Sequence, residues 1–418
     1  MRESRDLRSR GLKAIHPPRR GWAMLAIVLI AGCSSAPHST PLPAAPSLAL
    51  VEPVGPRPTP VVATIREPGT TPSEPARYAN PPGSAPRTSI VTRLPTMLAR
   101  FIRHGFAPVT RDRSHILPAG TAARSLAAPN GGDTVTWIGH MTVLLRLGGV
   151  TVLTDPWFSR YASPVKGIGP HRYAPPALAL AELPPIDVVL VSHSHRDHLD
   201  LDAIGALPNR EHITAVVPLG VGHFFRERGY GHVIELAWDE TADLHGLRVT
   251  ALPAIHWSKR SLFHTNDTLW AAYALESADG ARVYFGGDSD YGPIHADIGR
   301  RFGGFDLALL SIGGFHNDGV HCAPENCVRL GLDVGARAFV PLHWGTIYLG
   351  EGPPQELPAR FAEAAIEHGV APENVWVMNI GETRTIDASR RSLGTFASSP
   401  PSIAEHAGGA PAVIASPQ

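Results

Sequence analysis

The sequence is poor in cysteine, since only Cys33, Cys322 and Cys327 occur in 418 residues. That number is too small for a disulfide-stapled scaffold. An excess of charge is also absent, because 37 Lys and Arg residues balance 37 Asp and Glu residues. This balance excludes a protein that attracts nucleic acid through its bulk charge, so we expect no nucleic-acid partner. Stability must come from a hydrophobic core, for which a 43% hydrophobic content is sufficient, and from any bound metal.

The N-terminal segment has the pattern of an export signal. Arg-rich residues 1–20 precede an apolar stretch, residues 22–32, that is about half the length needed to span a bilayer. The run LIAGC at 29–33 resembles the lipobox of bacterial lipoproteins, whose cysteine becomes the lipidated N-terminus. We therefore expect residues 1–33 to be a lipoprotein signal peptide and Cys33 to anchor the chain in the cell envelope. Ser34 indicates, by analogy with that class, the outer membrane, facing the periplasm.

The rest of the chain divides by composition. Residues 34–90 are rich in Pro and Ala, with 14 of the 41 prolines between Ser34 and Arg87, and predict a tether without a core. Residues 91–388 are expected to form the folded domain and residues 389–418 a disordered tail. Apolar strand patterns alternate with helical patterns in two halves, which predicts a layered α/β domain with more than one sheet. Helices are expected after Leu199 and at 222–228, 324–332 and 356–368, and the last predicted strand at 375–379.

The main chemical signal is the run VVLVSHSHRDHLD at residues 188–200, in a sequence with 21 histidines. His193, His195, Asp197 and His198 follow an apolar strand pattern at a spacing that only a loop or strand end can fold onto one small volume. Neutral imidazoles and carboxylates are ligands for borderline divalent ions, and so dense a cluster suits two adjacent ions. A histidine-rich surface loop is the alternative, which the preceding buried-strand pattern disfavours.

Three further donors each follow a predicted strand: His256, Asp288 and His343. Each alone is as consistent with a structural residue as with a ligand. Taken with the 193–198 cluster, they are expected at the same rim of the sheets, where they would complete a metal site. The two glycines before Asp288 allow the backbone to approach another group closely.

These motifs resemble the metallo-β-lactamase-fold superfamily, whose HxHxDH motif is matched by residues 193–198. The resemblance implies an α/β fold, a four-layer αββα metallo-β-lactamase sandwich. More narrowly, residues 95–385 resemble the N-acylphosphatidylethanolamine-hydrolysing phospholipase D family. The matching stretches are WIGHMTVLL from Trp137, LTDPWFSRYASP from Leu153, GPHRY from Gly169, HWSKRSLFHTNDTLW from His256 and HWGT from His343.

The resemblance also implies a ligand set for two zinc ions per chain, although ligation by nitrogen and oxygen alone would also admit iron or manganese. It places His193, His195 and His256 on one ion. Asp197, His198 and His343 would hold the other, with Asp288 bridging the two. Asp197 and Asp288 are candidate catalytic proton acceptors.

Three residues outside the ligand set, His321, Asp155 and His140, have expected supporting roles. His321 matches a family histidine near the catalytic centre and is a candidate catalytic group that hydrogen-bonds the substrate phosphate; a surface histidine near a helix start is the alternative. Ala323 stands where a polar helix cap is expected before Pro324, which leaves the presentation of His321 open. Asp155 and His140 are expected to orient ligands rather than touch metal.

The function implied by the resemblance is a zinc-dependent phosphodiesterase of phospholipase D type. It would hydrolyse N-acylphosphatidylethanolamine-like phospholipids at the membrane to phosphatidic acid and N-acylethanolamine, and by resemblance the chain could form a homodimer. The alternatives are a lactonase, a β-lactamase or another ester or phosphodiester hydrolase on the same dinuclear site, and a non-catalytic metal-binding or lipid-binding lipoprotein. Aromatic candidates for an acyl groove are Phe101, Phe224, Phe225, Trp257, Phe263 and Tyr348.

Cys322 and Cys327 are five residues apart across the start of the helix predicted at 324–332. In a regular helix this spacing directs the two side chains to different faces, which disfavours a disulfide. We expect two buried thiols.

Overall fold

The computed structural model describes residues 77–86, 112–128, 132–165, 167, 169–260, 265–314, 319–348, 353 and 355–387. The predicted signal peptide, Cys33, most of the predicted tether and the predicted tail lie outside these residues. Among the described residues, no helix combines the length and the apolar character that crossing a membrane requires.

The first sheet has seven strands in the order β13-β1-β2-β3-β4-β5-β6. Pairing is antiparallel from β13 to β3 and parallel from β3 to β6. Its strands are β1 (Thr134–Gly139), β2 (Thr142–Leu147), β3 (Val150–Thr154), β4 (Val188–Leu190), β5 (Thr214–Pro218), β6 (His232–Leu236) and β13 (Thr383–Thr385).

The second sheet has six strands in the order β12-β11-β10-β9-β8-β7. Pairing is antiparallel from β7 to β10 and parallel from β10 to β12. Its strands are β7 (Thr241–Leu244), β8 (Leu247–Leu252), β9 (Ala272–Ser277), β10 (Arg282–Phe285), β11 (Phe305–Ser311) and β12 (Ala336–Leu342).

Six α-helices and two short 3-10 turns lie in the described part of the chain. The helices are α1 (Thr121–Ala127), α2 (Leu201–Ala206), α3 (Gly222–Arg226), α4 (Ile294–Phe302), α5 (Pro324–Asp333) and α6 (Glu356–Glu367). The 3-10 turns are Leu180–Glu182 and Pro372–Asn374.

Strand β4 shows how the layers form, because alternate side chains of a strand point to opposite faces. Val188 and Leu190 enter a core shared with the second sheet, including Tyr273. Val189 faces the other way and packs in a cluster with Ile204 of α2 and Phe225 of α3. The first sheet thus has helices on one face and the second sheet on the other.

The outer face of the second sheet is covered in the same way. Val328 and Leu330 of α5 and Phe361 of α6 belong to the core cluster that contains Phe339 of β12. The Phe339 and Phe361 rings meet edge to face at 6.4 Å between centroids. Complete burial of each such side chain contributes about 1.5–3 kcal/mol. The order helix, sheet, sheet, helix confirms the predicted four-layer αββα sandwich.

Two local predictions differ from the structure. Residues 375–379 are not a strand, because Val375 forms only an isolated bridge with Phe339, as Ile380 does with Ile116. Helix α4 was not predicted from the sequence. Its helical pattern was obscured because it follows the DSDYGP turn and buries only two of its nine side chains, His295 and Ile298.

The end of the predicted tether packs on the domain. Tyr78 is 8% exposed and belongs to the core shared by the two sheets. Its amide donates to Asn266 O at 2.9 Å, and Asn266 Nδ2 donates back to Tyr78 O at 3.0 Å. These residues lie inside the predicted tether, so their part of it belongs to the folded region.

Candidate metal centre

Every predicted ligand follows a strand and lies at one rim of the two sheets. Strand β4 ends at Leu190, and the loop that follows it carries the HSHRDH run. His256 follows β8, Asp288 follows β10 and His343 directly follows β12. The structure brings all seven predicted ligands together in overlapping groups whose donor atoms lie within 4.8 Å of one another.

Three imidazoles form one half of the centre. His195 Nδ1 lies 2.7 Å from His193 Nε2 and 3.3 Å from His256 Nε2. His256 Nδ1 donates to the carbonyl of Val320 at 2.7 Å, and a carbonyl can only accept. The lone pair of His256 is therefore on Nε2 and points toward the other two rings.

The protonation of these rings matches that arrangement. Burial lowers the pKa of His195 to about 3 and holds the pKa values of His193 and His256 well below their usual range. The three rings are neutral at neutral pH. Neutral nitrogens that face one another at these distances offer lone pairs to a cation, the arrangement that a divalent metal requires.

Asp197, His198 and His343 form the other half. His198 Nε2 lies 3.3 Å from His343 Nε2. Asp197 Oδ2 lies 3.7 Å from the former nitrogen and 3.6 Å from the latter. Asp197 is 22% exposed, whereas both rings are at most 2% exposed. This half therefore has a carboxylate edge that faces solvent.

Asp288 joins the two halves through a single oxygen. Its Oδ2 lies 3.1 Å from His198 Nε2 and 3.3 Å from His343 Nε2 in the mixed half. In the three-imidazole half, the distances are 3.9 Å to His193 Nε2 and 3.8 Å to His256 Nε2. In this position Asp288 would be a shared ligand if each half held an ion.

The charges around Asp288 compensate each other. Burial alone would raise the pKa of Asp288, but the nearby charges of His198, His343 and His321 outweigh it and hold the pKa well below its usual range. Burial likewise opposes the charged form of His343, yet Asp288 and Asp197 raise its pKa to about 9. Cationic His198 and His343 rings thus balance the carboxylate charge around Asp288.

Asp155 and Ser192 support the mixed half from behind. Asp155 Oδ2 accepts from His198 Nδ1 at 2.7 Å and from Ser192 Oγ at 2.6 Å. The hydrogen bond between Asp155 and His198 directs His198 Nε2 toward the centre. This is the role expected for a residue that orients a ligand without touching the metal. Ser192 also contacts His193 Nδ1 through its hydroxyl at 2.9 Å, a role that the sequence did not suggest.

His140 contacts two of the predicted ligands, Asp197 and His343, directly. Its Nε2 is 3.2 Å from Asp197 Oδ2, and its ring lies 4.0 Å from that of His343 between centroids. Burial lowers the pKa of His140 to about 3, so the ring is neutral. It belongs to one donor group with Asp197, His198 and His343, and its contact orients Asp197.

Backbone conformation at the rim is unusual. His140, Asp155 and His343 have φ values of 58°, 34° and 66°, in a region that side-chain-bearing residues rarely adopt. Such conformations concentrate at functional sites. Gly313 leaves room for the ligand ring, because a Cβ there would lie 2.2 Å from His343 Nδ1.

His321 lies at the edge of the centre. Its Nε2 is 3.1 Å from Asp288 Oδ2, and its side chain is 24% exposed. No side-chain cap is present at Ala323, the N-cap of α5, as the sequence indicated.

The prediction of two thiols at Cys322 and Cys327 is wrong, because the residues form a disulfide. A regular helix through both positions would direct the two side chains to different faces. Cys322 precedes the helix, and the chain at Ala323 is extended, which brings the two Cα atoms within 5.5 Å. Both side chains are buried, as expected.

The aromatic residues predicted as candidates for an acyl groove differ in their burial and contacts. Trp257 packs against a ligand, with its ring 4.5 Å from that of His195. Phe224 and Tyr348 are partly exposed, but Phe225 is fully buried under the first sheet and cannot line a groove. Phe101 and Phe263 lie outside the described residues.

Asn80 supports the centre and was missed from the sequence. Its Oδ1 accepts from the amide of His256 at 2.9 Å and from Trp270 Nε1 at 3.1 Å. The residue belongs to the segment interpreted as a tether, so its composition masked the role.

Comparison with known proteins agrees with this fold. The model of the β-lactamase superfamily domain matches residues 150–344. An uncharacterized protein of Mycobacterium tuberculosis is 42% identical over 265 residues, which cover 60% of this chain and 69% of that protein. The chain belongs to the β-lactamase superfamily, and with its His and Asp cluster it is a metal-dependent hydrolase of that superfamily.

Two further relatives are named for an activity. The N-acyl-phosphatidylethanolamine-hydrolyzing phospholipase D 1 of Caenorhabditis elegans is 37% identical, over 51% of this chain and 64% of the relative. The mitochondrial enzyme of the same name from Saccharomyces cerevisiae is 32% identical, over 60% of this chain and 56% of the relative.

Proposed function

We propose that this hydrolase is a zinc-dependent phosphodiesterase of phospholipase D type. Its substrates would be N-acylphosphatidylethanolamine-like lipids, which it would cleave to phosphatidic acid and N-acylethanolamine. The observation that carries the proposal is the position of Asp288 Oδ2, within 3.9 Å of ring nitrogens from both halves of the centre. The names of the nematode and yeast relatives support the substrate class.

The donors fit two ions of the zinc type. His193, His195 and His256 would hold one ion; Asp197, His198 and His343 would hold the other; and Asp288 would bridge. When bound, such a pair supplies Lewis acidity to a phosphoryl oxygen and activates water at neutral pH.

The chain's own residues supply the remaining functions. Asp197 would accept a proton from an attacking water, a role supported by its 22% exposure at the edge of the centre. His140 would hold Asp197 in orientation through the 3.2 Å contact. His321 would donate a hydrogen bond to a phosphoryl oxygen, a role supported by its partly exposed position beside Asp288.

The test uses the full chain loaded with zinc, with metals counted per chain. N-acylphosphatidylethanolamine is assayed beside a lactone and a chromogenic β-lactam, and we expect hydrolysis of the lipid with two metals bound. His195→Ala should remove one metal and lower lipid cleavage by roughly a thousandfold or more. His212→Ala is the matched control, because this histidine is 82% exposed.

Other outcomes would replace the proposal. Preferred cleavage of the lactone or the β-lactam would keep the centre and change the substrate class. Full metal occupancy without hydrolysis of any of the three substrates would favour a non-catalytic binding protein. Lipid cleavage unchanged in His195→Ala would contradict the metal-dependent reaction itself.

We also infer that Cys33 anchors the chain to a membrane of the cell envelope, where a phospholipid substrate is at hand. The support is the LIAGC run at residues 29–33. Expression with metabolic labelling by a palmitate analogue tests the inference. Label should enter the wild type and be absent from Cys33→Ala, and label retained in the variant would contradict the anchor.

A further inference from the structure

Helix α5 begins with Pro324 at its first position but without a side-chain cap. Ala323 is the N-cap, and its side chain makes no cap hydrogen bond. A Ser, Thr, Asp or Asn at this position normally satisfies one of the free amides of the first turn. The start of α5 matters because His321 lies two residues before this N-cap.

The disulfide joins the two positions that normally fix such a helix entry. With Ala323 as N-cap, Cys322 is the residue before the cap, and Cys327 is the fourth residue of the helix. In many helices apolar side chains at these two positions pack together as a hydrophobic staple, which sets the angle at which the chain enters the helix. Here a covalent bond makes the same connection.

Residues 320–327, the segment that carries the disulfide, contact residues of the metal centre directly. Val320 O accepts from His256 Nδ1 at 2.7 Å, and the amide of Cys322 donates to Ser289 O at 3.2 Å, next to Asp288. Cys327 Sγ lies 2.9 Å from Ser311 O, and Ser311 Oγ donates to Asp288 Oδ1 at 2.7 Å. The position of the disulfide is therefore coupled by direct contacts to the surroundings of Asp288.

His321 is partly exposed, whereas the two cysteines are buried. Its ring lies 5.1 Å from the His256 ring and 5.3 Å from the His343 ring, between centroids. The backbone of the adjacent Cys322 is held on one side by Ser289 and on the other by the covalent link to α5.

We propose that the Cys322–Cys327 disulfide is a positioning element that holds His321 beside Asp288, in place of the missing cap at Ala323. The cysteines belong to none of the donor groups and act through His321. The inference rests on the proposed function where it concerns turnover, but the ordering of the segment does not depend on any substrate.

The first experiment measures order without activity. Amide hydrogen exchange over residues 319–328 is compared in the metal-free full chain and in Cys322→Ala/Cys327→Ala. Exchange should be roughly fivefold faster or more in the double variant, with the β4 and β9 amides unchanged. Equal exchange in the two proteins would overturn the proposal, even if the chain hydrolysed no phosphodiester.

The second experiment uses turnover of the zinc-loaded chain on N-acylphosphatidylethanolamine. Loss of the disulfide should lower kcat by roughly fivefold and leave KM within about twofold. The same double substitution made on a His321→Ala background should have little further effect, because the element acts through His321. An equal loss of kcat on both backgrounds would show a general structural role and would overturn the proposal.

A rescue variant distinguishes a missing cap from other damage. Ala323→Ser supplies the absent cap, so in the disulfide-free chain it should restore slow exchange over 319–328 and most of the lost kcat. In the wild type, where the disulfide already fixes the turn, the same substitution should change kcat by less than about twofold. No recovery of either quantity would contradict the staple interpretation.

Discussion

Buried histidines occur in two settings in this molecule, and the difference shows what defines the metal centre. His193 and His256 are 1% exposed, and His295, in the first turn of helix α4, is 0% exposed. His256 and His295 each place Nδ1 against a backbone carbonyl, that of Val320 at 2.7 Å and that of Gly292 at 2.9 Å. Burial lowers the pKa of all three rings. Burial, protonation and a carbonyl partner therefore do not separate a ligand from a structural histidine.

What separates them is what the second nitrogen faces. His256 Nε2 lies 3.3 Å from His195 Nδ1 and 3.8 Å from Asp288 Oδ2. His295 Nε2 has no hydrogen-bond partner among the described residues, and His295 belongs to none of the donor groups found there. Convergence of several donors on one volume, supplied by four separate strand ends, creates the site.

Asp288→Asn should have the largest effect. The amide keeps the shape of the carboxylate but removes the charge that faces both halves, so we expect hydrolysis to fall by roughly a thousandfold or more and the metal content to fall below two per chain. Activity assays and metal analysis of the purified full chain measure both. Two tightly bound metals with near-normal turnover in Asp288→Asn would mean that the convergence described here is not the catalytic centre.

Asp155→Asn should have an intermediate effect. The carboxylate accepts from His198 Nδ1 at 2.7 Å but is not itself within the donor groups, so it acts on the metal through ligand orientation. Loss of such a partner typically lowers metal affinity or activity by roughly 10- to 100-fold. Titration of metal binding together with kcat determines the value. A loss as large as that of Asp288→Asn would instead assign Asp155 to the ligands.

The ligands could be predicted from the sequence because each follows an apolar strand pattern, as His343 follows β12, and strand ends collect at a rim. Asn80 could not, because its segment has the proline-rich composition of a tether and its partners lie far away in sequence. The disulfide was missed because the side-chain directions of a regular helix were applied to Cys322, although this residue precedes the helix and the chain after it is extended. Ser192 was missed since a serine before a histidine carries no signal until its neighbour Asp155 is placed.

Asn80→Ala should have a smaller effect than either carboxylate substitution. It removes the acceptor for the amide of His256, while Trp270 Nε1 keeps a second acceptor, Ala254 O, at 2.9 Å. We expect hydrolysis to fall by roughly three- to tenfold and the free energy of unfolding to fall by about 1–3 kcal/mol. Asn80→Asp keeps an acceptor oxygen and is the matched control. Equal losses in the two variants would show that the hydrogen bond to His256 is not the cause.

His295 should have the smallest effect on hydrolysis. It is buried but belongs to none of the donor groups, so its substitution should change stability and not turnover. Burial lowers its pKa from 6.5 to about 4 in the folded chain. Between these two pH values the unfolded chain binds a proton that the folded chain does not, so the contribution of the neutral ring to stability is complete above pH 6.5 and is lost as the pH falls toward 4. The loss of folding free energy amounts to about 3 kcal/mol for this one group.

The variant His295→Gln tests this, because its side chain does not titrate. Urea unfolding at several pH values should show an acid-induced loss of stability that is smaller than in the wild type by about 3 kcal/mol. The comparison cancels the titration of the centre, which both proteins share, and turnover at pH 8 should agree within about twofold. If the free energy of unfolding depended on pH in the same way in both proteins, His295 would not titrate as its burial requires. A large loss of turnover in His295→Gln would show that the catalytic centre includes residues outside the group of donors at the rim.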